Sequence, residues 1–208
     1  MNAEKTDLLK STPTDYEIID VIKNRWSPRT FADTPISNQD LRVLFEAGRW
    51  APSSYNMQPW SIVWGVKGSE QYDRIFDCLD EFNQGWAKNA PVLLLGVMDK
   101  KTPEGKDNFH ALHDLGQFTA NMAIQAQSMG IALHQMAGVD FDKARKEFKF
   151  PDNYHVATGI ALGHYGGNVQ EVPEGVRDAE TAPRERKKQE EFTFNGNYVE
   201  RAQLNDEE

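Results

Sequence analysis

The sequence predicts an α+β fold, a mostly antiparallel central sheet flanked by helices, and three observations carry that reading. Residues 60–66, 91–97, 131–133 and 156–162 are short runs of strand character with helix-period stretches between them. The run from Pro91 to Val97 is continuously apolar, as in a strand buried on both faces. A long amphipathic stretch from Phe109 to Met129 supplies a scaffold helix. At 208 residues, with 39% hydrophobic and 26% charged, the chain is long enough to bury a sizeable core, and residues 1–208 are expected to form a single domain.

Taken in order, Thr14 and Glu17 form a capping-box pair ahead of Ile18, Ile19 and Ile22, which predicts a first helix from about Asp15 to Lys23. Ser37 with Asp40 starts a second through Leu41, Leu44, Phe45 and Gly48, and Pro52 ends it. Trp60 to Val66 alternates and is rich in β-branched and aromatic residues, so it reads as a strand. Ser69 caps a helix through Tyr72, Ile75, Phe76 and Leu79. Asp99 to Asn108 is polar and full of turn formers, hence an exposed loop. The scaffold helix then carries Leu112, Leu115, Phe118, Met122, Ala126 and Met129 and ends at Gly130. Its small residues Gly116, Ala120, Ala123 and Ala126 permit close approach of another helix, within the subunit or across a dimer. Strands at Ile131–Leu133 and Val156–Leu162 are separated by a helix that Asp140 caps and Pro151 follows. Residues 1–13 and 202–208 are expected to be poorly ordered.

Composition excludes several functional classes. A net charge of -9 argues against a nucleic-acid partner, because phosphate backbones are held by broad basic surfaces. No membrane association is expected, since the longest apolar run, Pro91 to Met98, falls far short of the roughly 20 residues that span a bilayer. The start, Met1 to Lys5, has no basic-then-apolar signal pattern. A lone cysteine, Cys78, excludes an internal disulfide framework, so the expected setting is a reducing cytoplasm. Neither G-x-G-x-x-G nor G-x-x-x-x-G-K-[ST] occurs. His110, His113 and Asp114 lack a fourth partner at metal-ligand spacing, so no metal site is expected.

Against this acidic background two basic islands stand out. Arg25-Trp26-Ser27-Pro28-Arg29 places two guanidinium groups around a hydroxyl, and Arg184-Glu185-Arg186-Lys187-Lys188 is a second knot more than 150 residues later. Guanidinium groups bind phosphate in a bidentate fork, and a serine adds a neutral donor, so the pair reads as a phosphate grip. About twenty residues after the first island comes Ala51-Pro52-Ser53-Ser54-Tyr55-Asn56-Met57-Gln58-Pro59-Trp60.

R-x-S-x-R, then A-P-S-x-x-N-x-Q-P-W, then a late R-K followed by E-E-F resembles the FMN-dependent nitroreductase family, over roughly residues 15 to 198. The resemblance implies an intertwined homodimer with FMN sites at the subunit interface and NADH or NADPH as reductant. It implies that Arg25, Ser27 and Arg186 hold the phosphate or ribityl of FMN, with Trp26, Arg184 and Lys187 beside them, and that Arg29 approaches the pyrimidine edge of the ring. There its charge favours the reduced flavin, so it tunes the cofactor and no side chain acts as acid or base. Pro52, Ser53, Ser54 and Asn56 match the segment that reaches the flavin from the other subunit, with Gln58 behind them. Gln135, Met136, Ala137 and Gly138 fall where the family sets backbone groups against the ring. Phe82 and Trp86 are candidates for the open face, where flat acceptors such as nitroaromatics and quinones stack. Glu191 to Phe194 alternates like a strand able to extend a neighbouring sheet. The implied activity is a ping-pong oxidoreductase acting on small molecules. Its alternatives are a flavoenzyme of the same family that dehalogenates or dehydrogenates a specific metabolite, and a flavin-binding protein without turnover.

Overall fold

The computed structural model describes Lys10 and residues 12–198. Seven α-helices and four strands alternate among these residues, in the order α1 (Asp20–Asn24), α2 (Asn38–Arg49), β1 (Trp60–Val66), α3 (Glu70–Phe76), α4 (Glu81–Ala87), β2 (Val92–Asp99), α5 (Ala111–Ser128), β3 (Ile131–Met136), α6 (Phe141–Glu147), β4 (Tyr154–His164) and α7 (Glu174–Thr181). The strands form one sheet in the order β1-β2-β4-β3, with every neighbouring pair antiparallel. No helix among the described residues is long and apolar enough to cross a membrane.

The sheet separates two cores, and β2 shows why. Its alternate side chains enter opposite layers: Leu93, Leu95 and Val97 join Tyr72, Ile75, Trp86 and Val176 on one face, while Val92 and Leu94 join Leu41, Leu44, Phe118 and Met122 on the other. Each fully buried leucine contributes about 1.5–3 kcal/mol of transfer free energy, which makes this strand the spine of the fold. On the second face α2 lies directly on α5. A Cβ at Gly48 would stand 2.7 Å from the Phe118 ring, so only glycine permits that approach.

Local signals place most of the helix starts. Ser37 and Asp40 form a reciprocal capping box, Ser69 accepts from the Tyr72 N–H, and Asp140 accepts from the Lys143 N–H. Gly130 closes α5 with φ at 70°. Four expectations are corrected. The first helix begins at Asp20 and has no Thr14–Glu17 capping box; Ile18, Ile19 and Ile22 are 39%, 64% and 47% exposed, so the apolar stripe finds no core within one chain to extend it. The helix after Ser69 stops at Phe76, and a separate helix, α4, starts under the Asp80 cap. Helix α7 was not anticipated. Residues 191–194 are not a strand: a 3-10 turn occupies Gln189–Glu191. Most of the terminal stretches expected to lack order lie outside the described residues, but Thr12 is placed, its hydroxyl bonded to the Lys23 carbonyl and to Arg184.

Candidate active site

The two basic islands converge. Helix α1 delivers Arg25 at its C-cap, where the Nη1 group donates to Ser27 Oγ at 3.2 Å. Just beyond α7, Arg184 reaches back through Nη1 to the carbonyl of Lys23 at 3.0 Å. Arg25, Arg184 and Arg186 line one cavity of about 290 Å³ together with Glu185, the polar Thr12 and Thr14, and the apolar Pro13, Ile18 and Ile22. Burial lowers the pKa of Arg25; Tyr165 opposes this and Arg186 adds to it. Burial likewise lowers that of Arg184, and Arg25 and Arg186 push it further down. Among the described residues no ion pair engages Arg25 or Arg184. Three guanidinium groups against the single carboxylate of Glu185 leave the cavity with an excess of positive charge, which makes it a candidate site for an anion.

Arg29 sits differently. Its backbone N–H donates to Glu180 Oε1 at 2.6 Å, and its Nη1 lies 3.6 Å from Glu180 Oε2. Its Nε is buried and has no hydrogen-bond partner. A buried donor left open is costly unless something accepts from it, so Arg29 presents one edge to Glu180 and the other to a missing acceptor. Behind it the guanidinium stands 6.0 Å from the Trp86 ring, and Trp86 meets His134 at 4.5 Å between centroids. The end of β3 closes this region: the Gly138 carbonyl accepts from the Asp80 N–H at 3.0 Å. A Cβ at Gly138 would fall 2.1 Å from Asn83 Nδ2 and from Asp80 Oδ2, so a larger residue where β3 meets the start of α4 would displace the side chains that cap α4.

The Pro52–Asn56 segment lies elsewhere in the chain. The Ser54 N–H donates to buried Asp114 near the start of α5, while Tyr165, whose ring faces Trp26, bonds Gln127 near its end. At 1.5 Å per residue those two points on α5 are roughly 20 Å apart. The segment is itself held in an uncommon conformation, with Tyr55, Asn56 and Gln58 at φ of 49°, 54° and 48°. Left-handed backbone costs roughly 1–2 kcal/mol per non-glycine residue and persists where function or packing over-determines it. Gln58 braces the turn from behind, its N–H on Ser53 Oγ and its Nε2 on the Asn56 carbonyl.

The structure therefore brings together Arg25, Ser27, Arg184 and Arg186, places Arg29 beside them on the same loop, and keeps Pro52, Ser53, Ser54 and Asn56 at the far end of α5. Trp26 is buried as packing under Tyr165 and Lys10, and Lys187 is exposed and lines no part of the arginine cavity. Gln135 and Ala137 are exposed and Met136 is buried at the end of β3. Trp86 is wholly buried, which removes it from any open face, whereas Phe82 is 56% exposed. Among the described residues no cluster of three or more His, Cys, Asp or Glu is arranged to hold a metal ion. Sequence reasoning missed Glu180 and His134, because the partners of each lie more than 100 residues away along the chain.

The geometry defines an α+β fold with an arginine-lined cavity, and comparison with known proteins gives its family. The profile of the nitroreductase family matches residues 22–164, and the chain belongs to that family. It is 30% identical over 158 residues, 66% of this chain and 78% of the relative, to a Streptomyces coelicolor protein grouped by name with the NADH dehydrogenase/NAD(P)H nitroreductases. It is 27% identical over 74% of its length, and 68% of the relative, to an NADPH-flavin oxidoreductase of Vibrio harveyi. Among solved structures, an oxidoreductase containing FMN superposes with a TM-score of 0.85 at 30% identity, covering 91% of this chain and 97% of that one.

Proposed function

We propose that this protein is an FMN-dependent oxidoreductase that draws electrons from NADH or NADPH and passes them to flat small acceptors such as nitroaromatics or quinones. The convergence of Arg25, Arg184 and Arg186 on one cavity carries the reading, since FMN ends in a dianionic phosphate and three guanidinium groups there outnumber the single carboxylate, Glu185. The residues present fit that group at two further points. The unpartnered Nε of Arg29 is a buried donor, and the pyrimidine edge of the ring offers N1 and the C2 carbonyl oxygen as acceptors. Thr12 and Thr14 put hydroxyls into the lining beside Ile18 and Ile22, donors and acceptors of the kind a polyol ribityl chain requires.

When bound, FMN supplies hydride acceptance and donation, so the protein needs no acid or base of its own. Arg25, Ser27, Arg184 and Arg186 anchor; Arg29 places positive charge where the ring gains negative charge on reduction. Pro52, Ser53, Ser54 and Asn56 enter the site from a second copy of the chain, because within one copy they stand at the wrong end of α5. A homodimer also covers the exposed face of α5 around Leu112, Gly116 and Ala120 and the exposed Ile18, Ile19 and Ile22.

The test is direct. The purified protein is expected to be yellow and to release one FMN per subunit, and NADH or NADPH is expected to bleach it under anaerobic conditions until a nitroaromatic or quinone is added. Release of FAD, or no flavin affinity at micromolar concentration, would overturn the reading. A flavin that neither nicotinamide bleaches would mark a binding protein without turnover.

A further inference from the structure

We propose that Glu180 is the positioning residue of the flavin site: its carboxylate fixes Arg29 in place and its charge sets how much positive potential Arg29 offers the ring. The proposal rests on the reading of Arg29 given above. Glu180 lies near the end of α7 with no exposed surface. Its Oε1 accepts from the backbone N–H groups of Arg29 at 2.6 Å and Thr30 at 3.3 Å, so a single oxygen pins the loop that carries the first basic island. Its Oε2 takes no hydrogen bond and faces the Arg29 guanidinium at 3.6 Å.

A buried carboxylate costs several kcal/mol unless compensated, and here compensation comes from two backbone dipoles, the Thr30 hydroxyl at 3.5 Å, the Arg29 guanidinium and the nearby charge of Lys10. That arrangement has two consequences. Oε2 sits beyond fork distance from Arg29, so the pair holds the guanidinium from one side while its Nε stays open. The negative charge also lies against the cation that faces the cofactor, and in a site with little water it offsets part of that cation's potential. Helix α7 leads within a few residues to Arg184 and Arg186, so Glu180 joins the segment bearing one island to the loop bearing the other. A bracing role alone explains the Oε1 contacts. It gives no reason for a second, unbonded oxygen turned toward Arg29.

Glu180→Gln separates the two roles, because the amide oxygen still accepts from the N–H groups while the charge is gone. Spectroelectrochemistry on the FMN-loaded variant is expected to show a midpoint potential higher by about 30 mV, the two-electron equivalent of a tenfold gain for the reduced form. In an Arg29→Gln background the rise is expected to be smaller, since Lys10 is then the remaining cation that Glu180 offsets. FMN affinity of the apoprotein, followed by fluorescence quenching, is expected to change by less than about threefold, the phosphate anchors being intact. A Glu180→Gln protein with the wild-type potential but a lowered unfolding midpoint would reduce Glu180 to a brace and overturn the proposal. Should that variant not fold, Glu180→Asp keeps the charge but withdraws it by one methylene. It is expected to raise the potential by a smaller step, and an unmoved potential there also overturns the proposal. Failure of the wild type to bind FMN would instead sink the functional reading, so the two failures are distinct.

Discussion

The Nδ1 atom of His134 lies 2.9 Å from the carbonyl oxygen of Pro28, tying strand β3 to the middle of the R-x-S-x-R loop. A carbonyl only accepts, so Nδ1 carries a proton and donates it to Pro28. Burial pulls the His134 pKa from 6.5 down to about 4; the hydrogen bonds to Pro28 and Ser27 resist that, while Arg29 and Arg25 add to it. The loop of cations is thus backed by a histidine that must stay uncharged.

The pH dependence follows from this pKa. With a folded value below the unfolded one, the unfolded chain binds more protons between the two. The contribution of His134 is fully present above pH 6.5, is lost as pH falls toward 4, and levels off below that. The total is on the order of 3 kcal/mol at 1.36 kcal/mol per pH unit. Urea titrations of the apoprotein at intervals from pH 7.5 to 4.5 measure the slope. His134→Asn keeps a donor for Pro28 and is expected to flatten it; an equal slope in that variant would assign the acid sensitivity to other groups.

Arg25→Ala tests the anchor. The side chain's hydrogen bond in the apoprotein is to Ser27, and Arg186 lies close enough to repel it, so its loss is expected to leave apoprotein stability nearly unchanged. FMN affinity is expected to fall by about 1.5–3 kcal/mol, the scale of a charge-assisted hydrogen bond, and to be weakened in the wild type by added salt. Isothermal titration with FMN beside thermal unfolding of the apoprotein resolves the two effects. An affinity equal to wild type would remove Arg25 from the FMN anchor.

How much of this was legible depended on how local each signal is. Ser37, Ser69 and Asp140 name their helices because a cap bonds within three residues of itself, and the unbroken apolar run of β2 declares two buried faces. Helix α7 hid because Glu174-Gly175-Val176-Arg177-Asp178 looks like a solvated turn, and its decisive residue, Glu180, breaks the polar-outside rule in order to hold Arg29. Ile18, Ile19 and Ile22 misled in the opposite direction, since an apolar stripe predicts burial but not whether the covering surface belongs to the same chain. The basic islands were visible as composition. Their convergence was not, because it depends on α1 and α7 ending at the same place.

Gly116 marks the face of α5 on which the proposed second copy is expected to dock. It lies mid-way along α5, exposed, and a Cβ there would meet no heavy atom within 4 Å in a single chain. Leu112, one turn earlier, is 58% exposed, and Ala120, one turn later, is exposed too. A helix-interior glycine costs roughly 0.5–1 kcal/mol relative to alanine, so within an isolated chain Gly116→Ala is expected to be mildly stabilising. Gly116→Arg is equally compatible with the lone fold, yet it puts a long charged side chain where a neighbouring helix would pack. Sedimentation velocity is expected to show a wild-type dimer and a Gly116→Arg monomer that stays folded by circular dichroism. Flavin affinity is expected to fall with the dimer, because Ser53 and Asn56 of one copy can no longer reach the arginines of the other. A Gly116→Arg dimer with wild-type FMN affinity would place the interface on another face and remove the argument that α5 aligns the two half-sites.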